Sequence, residues 1–295
     1  MPRPNRIRTA GVLLVSGLLA WPQTAPATGA DNELYAGWLK MYDLKFDDAH
    51  RIFRHWKSNH PTDPLGPGSE ATAYLFSEFA RLGVLESELF VNDERFSTRK
   101  KLRPEPQLKV EFTNEVDNED RLSDSLLQRS PTDPRALFAK SLGWGLRADY
   151  AALIEKSNLV SLSYTKQART YAEKLLATDS QAYDAYLAPG VENYLLSLKA
   201  APLRLLLKWT GSNVDRQKGL EELQKTASHG LYFEPFAKVL LAVAALRDNN
   251  ADRAQALLEE LHLRFPDNPL YSRELNQIAA RRGTASNSAN AERQR

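Results

Sequence analysis

A turn with the sequence Pro-Thr-Asp-Pro closes an apolar-periodic stretch at residues 61–64, and it returns. The same four residues stand at 131–134, and Pro-Asp-Asn-Pro stands at 266–269, intervals of 70 and 135 residues. A turn bracketed by two prolines cannot sit inside a helix, because each proline lacks an amide hydrogen and clashes with the preceding turn. Its return near multiples of one length restricts the chain to a row of similar units, each burying its apolar face on the next. The two intervals read as about two and four copies of a unit of roughly 34 residues.

The stretch before the first turn shows what the unit is. Residues 34–43, LYAGWLKMYD, predict a helix with Leu34, Trp38 and Met41 at helical spacing. Residues 44–46 form a turn, and Asp47 and Asp48 suit the positive end of a second helix. Ala49, Ile52, Phe53 and Trp56 make its buried stripe, and Asn59 and Pro61 end it. The last copy is similar: a helix over 235–247 with Leu241, Ala242 and Ala245, then one over 251–265 with Ala254, Leu258 and Leu261 before Pro266. Two looser copies lie between. One has Ala168, Ala172 and Leu175 before Thr178-Asp179-Ser180, the other Gly219, Leu223 and Thr226 before His229-Gly230, read as a helix end. A further helix is expected over 69–90, capped by Ser69 after the breakers Gly66-Pro67-Gly68. No stretch requires a strand, so the fold class is all-α.

These residues resemble a tetratricopeptide repeat, whose second helix carries an aromatic, Ala, Phe and Pro in fixed register. Here those are Phe46, Ala49, Phe53 and Pro61, with Gly37 as the small residue of the first helix; the usual early Trp is Glu33 and the mid-helix aromatic is Lys40. The resemblance implies a right-handed α-solenoid with degenerate repeats. Its packing positions would be Gly37, Phe46, Ala49, Phe53, Pro61, Ala168, Ala172, Gly219, Leu223, Ala254, Leu258 and Pro266. It also implies a concave groove that binds a protein or peptide segment. First-helix residues face such a groove, which makes Tyr35, Lys40 and Tyr42 the candidate binding residues. From Tyr194 to Tyr271, through GVENYLLSL, LLKWTGSNVDRQKGLEEL and FPDNPLY, the chain is also distantly similar to the eukaryotic inclusion-body-clearance branch of that family.

The organisation expected is a signal peptide at 1–27, ending at Ala27 or Ala30, a helical unit at 31–92, an irregular charged linker at 93–124, a helical array at 125–282 and a disordered tail at 283–295. The signal rests on Arg3, Arg6 and Arg8, an apolar run over 10–21, and Ala25-Pro26-Ala27. That run is too short for a bilayer, which takes roughly twenty residues. The chain is therefore expected in the periplasm, with the cell exterior as the other destination. It has no cysteine, so neither a lipidated N-terminus nor a disulfide is available. The linker rests on Pro104, Pro106, a basic cluster at 99–103 and the acids Glu115, Asp117, Glu119, Asp120 and Asp124.

Charge removes one partner class. Of 39 basic residues, three lie in the first thirty; the remaining 36 face 37 acidic ones, so no basic excess is left for nucleic acid. Gly66–Ala71 matches a GxGxx[GA] phosphate loop but lacks the strand that must precede one. His50, His55 and His60 recur every five residues, which turns successive side chains about 140° apart on a helix, whereas two metal ligands need three- or four-residue spacing. No catalytic, cofactor or metal residue is assigned. The reading is a non-enzymatic interaction scaffold of the cell envelope. Two alternatives stay open: an enzyme or small-ligand domain with scattered site residues, and a membrane-surface protein using the apolar, basic stretch 191–209.

Overall fold

The computed structural model of the chain describes residues 29–85, 101–198 and 215–293. Among these are eleven α-helices and no strand. They pair as α1 (Gly29–Tyr42) with α2 (Phe46–Asn59), α3 (Leu65–Arg81) with α4 (Pro106–Arg129), and α5 (Pro134–Asp149) with α6 (Asn158–Thr178). Then follow α7 (Leu187–Ser197) with α8 (Arg216–His229), α9 (Glu234–Arg247) with α10 (Ala251–Arg264), and α11 (Pro269–Arg293). Each helix packs on the next in sequence, and α3 also touches α1 and α5. This is an all-α array of five helix pairs with a closing helix.

Two kinds of turn alternate. After α2, α4, α6 and α10 the chain leaves the helix through His60, Ser130, Asp179 and Phe265, each with φ between −126° and −142°. Each carbonyl then accepts from the amide three residues on, at 3.0–3.2 Å. In three of these turns that third residue is Asp63, Asp133 or Asn268, whose side chain accepts from Leu65, Ala136 or Leu270 at the start of the following helix. The prolines after them occupy the one place where a missing amide hydrogen costs nothing. The other turns follow odd-numbered helices. Leu44, Gly83, Lys156 and Asn249 there take φ of 56–68°. In three of them the next residue's amide reaches back five positions, from Lys45 to Lys40, Val84 to Phe79 and Asn250 to Ala245, at 2.8–2.9 Å.

The described pairs can be set against the turn spacing. Among the described residues, the 70 between the first two proline turns hold one pair, α3 and the 24-residue α4. The 135 residues up to 266 hold three pairs among the described residues. Helix α3 starts at Leu65, so Gly66, Pro67 and Gly68 lie in its first turn and Ser69 is not its cap. The glycines are there for space: a Cβ on Gly66 would stand 2.8 Å from Lys57 Cγ, and one on Gly68 would stand 3.0 Å from Leu142 Cδ2.

The linker expected at 93–124 is mostly helix. Residues 93–100 lie outside the described residues, but α4 runs through the acidic cluster with Phe112, Val116, Glu119, Leu122 and Ser123 buried. One narrow stripe is enough to dock a helix whose other faces are charged. Among the described residues one apolar core includes side chains on both sides of that stretch, from Leu34 to Ile278, and a smaller cluster gathers around Tyr194, Leu223 and Leu241. The tail expected to be disordered from 283 continues as helix to Arg293. The expected signal peptide at 1–27 and residues 199–209 of the apolar, basic stretch lie outside the described residues. No described helix is long and apolar enough to cross a membrane.

The packing positions behave as small and large partners. A Cβ on Gly37 would overlap the Phe53 ring, 2.3 Å from Cε1, and one on Gly219 would stand 2.7 Å from the Tyr194 amide nitrogen. Ala49, Phe53, Ala168, Ala172, Leu223, Ala254 and Leu258 are buried, while Pro61 and Pro266 are exposed in their turns and Phe46 packs at the core's rim.

Candidate functional site

The resemblance implies a groove along the first helices, and there another part of the chain packs on α1 and α5. The loop from Gly230 to Phe233, between α8 and α9, turns inward. Tyr232 and Phe233 pack on Trp38 of α1, with ring centroids 5.5 and 5.4 Å away, and on Phe138 of α5, at 6.0 and 5.6 Å. Asp184, in the short helical turn Tyr183–Tyr186, holds the loop. Its carboxylate accepts from the amides of Leu231 (2.9 Å), Tyr232 (3.2 Å) and Phe233 (2.8 Å). Gly230 ends α8 not in the left-handed region but extended, with φ −61° and ψ 154°. A Cβ there would stand 2.7 Å from Asp184 Oδ1, so glycine lets the carboxylate approach.

The two ends of the array meet over this loop. The Tyr42 hydroxyl donates to the Tyr232 carbonyl (2.8 Å), and Asn268 Nδ2 donates to the Tyr42 carbonyl (2.8 Å). The Asp267 amide donates to Asp43 Oδ1 (3.1 Å), and Lys45 bridges Asp43 and Asp267. Arg264 binds the Tyr35 hydroxyl and Glu234. The hydrogen bond to Lys45 holds the Asp267 carboxyl below the usual range.

This arrangement revises the candidate binding residues. Tyr42 is 5% exposed and is a core residue of the joint, so its side chain is closed to a peptide. Tyr35 is half-buried, edge-on to Tyr232 and bonded to Arg264. Lys40 is partly exposed, near Asp267. Tyr35 and Tyr42 are thus covered by the chain's own Tyr232, Arg264 and Asn268.

On the outer side, polar side chains sit where an odd-numbered helix lies between two even-numbered ones. Glu70 of α3 is fully buried, with His50 Nδ1 3.0 Å and Arg54 Nε 3.1 Å from its Oε1. Arg54 also donates to the Tyr74 hydroxyl at 3.1 Å. A carboxylate orienting a histidine, with a guanidinium and a phenol beside it, is an arrangement that general-base sites use. The next pair argues for a packing role instead. Lys140 of α5, 4% exposed, bonds Asp120 at 2.7 Å and also Asp124. Both central residues stand six places after their turn proline, and both take partners twenty and sixteen residues earlier. The charges are reversed and no catalytic type is present in the second copy. Burial works to lower the Lys140 pKa, but its hydrogen bonds to Asp120 and Asp124 outweigh this and raise it. Further along, Asn193 donates to Glu222 at 2.9 Å, and Arg169 lies 3.5 Å from Glu192. His55 and His60 point elsewhere: one contacts Asn59, the other stacks on Trp56. Among the described residues no group of three potential ligands could hold a metal ion.

Glu119 is the most unusual of the buried acids. It is fully buried between Gly68 and Gly143, takes a hydrogen bond from Ser123 (3.1 Å), and its second oxygen has no partner. Burial pushes its carboxyl up to about 8. A surface depression lies on the outside of α4, lined by Asp117, Asp120, Arg121, Asp124, Ser125 and Gln128.

Asp184, Tyr232 and Phe233, the residues that decide what the inner face can do, carry no local sequence signal. Gly230 offers one, but it fits a left-handed helix end equally well.

No protein-family model and no curated protein matches the chain. Among solved structures it is similar to a thermophilic tetratricopeptide-repeat protein of Thermus thermophilus, at 16% identity over 85% of this chain and 99% of that one, with a TM-score of 0.43. So loose a superposition carries no argument, and the array of helix pairs stands on the packing described above.

Proposed function

We propose that the chain is a non-enzymatic interaction scaffold of the cell envelope, exported by residues 1–27, and that a partner meets its outer and edge surfaces. The observation that supports this is the joint at Tyr42, Tyr232 and Asn268. It makes five helix pairs one preshaped body whose inner face is already occupied. Preshaped surfaces bind without ordering cost, which suits a scaffold. The outer side charges in His50/Arg54/Glu70 and Asp120/Asp124/Lys140 serve registration of the pairs.

Photo-crosslinking in intact cells tests the reading, with a photoreactive side chain placed in turn at Arg51, Asp117 and Lys40. A discrete adduct recurring at neighbouring positions is the expected result. The N-terminus of the recovered protein should be Thr28 or Asp31. A thermal-shift screen with metals, nucleotides and glycans separates the scaffold from a ligand-binding domain. A ligand at 100 times its dissociation constant adds about 2.7 kcal/mol, so a clear shift with one of these would replace the scaffold reading.

A further inference from the structure

The first two proline turns share one backbone pattern. The carbonyls of His60 and Ser130 accept from the amides of Asp63 and Asp133 at 3.0 Å, and each of those Asp side chains accepts from an amide of the next helix. The second turn is built with Leu127 and Ser130 where the first has Lys57 and His60. The turn itself therefore calls for neither a cation nor an imidazole. Between the first turn and α4 lies an open-sided cavity of about 270 Å³. Pro61, Pro67 and Leu122 line it with apolar surface. His60, another lining residue, lies flat on Trp56 with 3.7 Å between ring centroids, which makes it a rigid wall. A cavity of roughly 150 Å³ takes one benzene ring, so this one has room for a ring and a small polar group.

The charges around the cavity are matched, with one exception. Asp63 accepts from Arg135 Nε and Nη2, both at 2.7 Å, from Trp56 Nε1 at 2.9 Å and from the Leu65 amide at 3.1 Å. Lys57 is bonded to Glu115. In the neighbouring depression on α4, Asp117 has Arg147, and Asp120 and Asp124 share Lys140. Arg121 lines both hollows and meets no carboxylate among the described residues; its Nη2 donates to the Asn118 side-chain oxygen at 2.7 Å. That bond leaves the Asn118 side-chain nitrogen free to donate. The planar fork of a guanidinium matches the two oxygens of a carboxylate. The apolar walls favour a ligand whose body leaves water against them. Inorganic phosphate would satisfy the guanidinium and waste the walls.

We propose that this cavity binds a small organic acid, a single ring or short branched chain with one carboxylate. Arg121 and Asn118 take the carboxylate, and Pro61, Pro67 and Leu122 take the body. The site uses none of the residues of the joint at Tyr42, so it stands apart from the scaffold reading.

The test titrates benzoate into isotope-labelled protein and follows backbone amide shifts, with benzamide and inorganic phosphate as comparisons. For so small a ligand a dissociation constant of about 1 mM is the expected scale. Benzoate should move the amides of His60, Asn118, Arg121 and Leu122. Benzamide lacks the charge and phosphate lacks the body, and each should bind about tenfold more weakly or worse. Arg121→Gln should weaken benzoate by about tenfold or more, the loss of one charge-assisted pair. Arg129→Gln, further along the same helix, should bind like the wild type. Both arginines are exposed, so thermal melts of the variants should coincide with that of the wild type. No shift at about 20 mM benzoate overturns the proposal. Shifts confined to other parts of the chain overturn it too, as do equal binding of benzamide, full binding by Arg121→Gln, or an equal loss from Arg129→Gln.

Discussion

Replacing Glu119 with Gln should remove a pH dependence of stability that the fold builds in. The side chain is fully buried against Gly68 and Gly143, one oxygen is unpaired, and its carboxyl stays protonated up to about pH 8. Unfolded, it returns to about 4.5. A group whose pKa is raised in the folded state stabilises fully below the unfolded value and loses that contribution as pH rises through the folded value. With these two values the loss between pH 6 and pH 8 is about 2 kcal/mol. The assay is urea unfolding of the wild type and Glu119→Gln at both pH values. Other titrating groups are common to both proteins and cancel in the difference. The wild type should lose about 2 kcal/mol more than the variant on going to pH 8. Glutamine changes the local contacts and shifts both of its own values together, so the slope is the readout. If the two proteins lose the same amount, Glu119 is not a buried acid of this kind.

Three further outcomes follow from the joint and the outer registration. Tyr42→Phe removes the hydrogen bond to the Tyr232 carbonyl, at a cost of about 1 kcal/mol by chemical denaturation. Asp184→Asn puts an amide where three backbone amides need an acceptor, and should cost about 2–3 kcal/mol and lower the thermal midpoint. Lys140→Glu places a carboxylate against Asp120 and Asp124 and should cost about 2 kcal/mol or more. Adding Asp120→His and Asp124→Arg copies the charges of His50, Arg54 and Glu70, and denaturation of this triple variant should show at least half of that loss recovered.

The parts legible in the sequence are those that act over one turn or one helix pair. The Pro-Asx-Pro turns follow from proline geometry and a side-chain cap, and the Ala49/Phe53 and Ala254/Leu258 stripes from the helical period. Spacing alone does not give helix lengths, and α4 runs to 24 residues. The acids of α4 hide its apolar stripe and make a helix read as a linker. The largest error concerns Tyr42. Its place on a first helix points it toward the inside of a stack, which reads as open groove. What covers it lies at Tyr232 and Asn268, 190 and 226 residues away, and no local periodicity reports such a contact.

The closed joint is the claim on which the scaffold reading depends, and the absence of native cysteine makes it directly measurable. A variant with Asp43→Cys and Asp267→Cys carries two thiols at positions whose backbone and side chain are in hydrogen-bond contact, 224 residues apart in sequence. Treated with a short bifunctional maleimide at low protein concentration, it should give an intramolecular cross-link in the monomer, mapped by mass spectrometry, while each single-cysteine variant gives none. A monomer that takes up reagent at both thiols without joining them would mean the ends are apart and the inner face open, and would contradict the account.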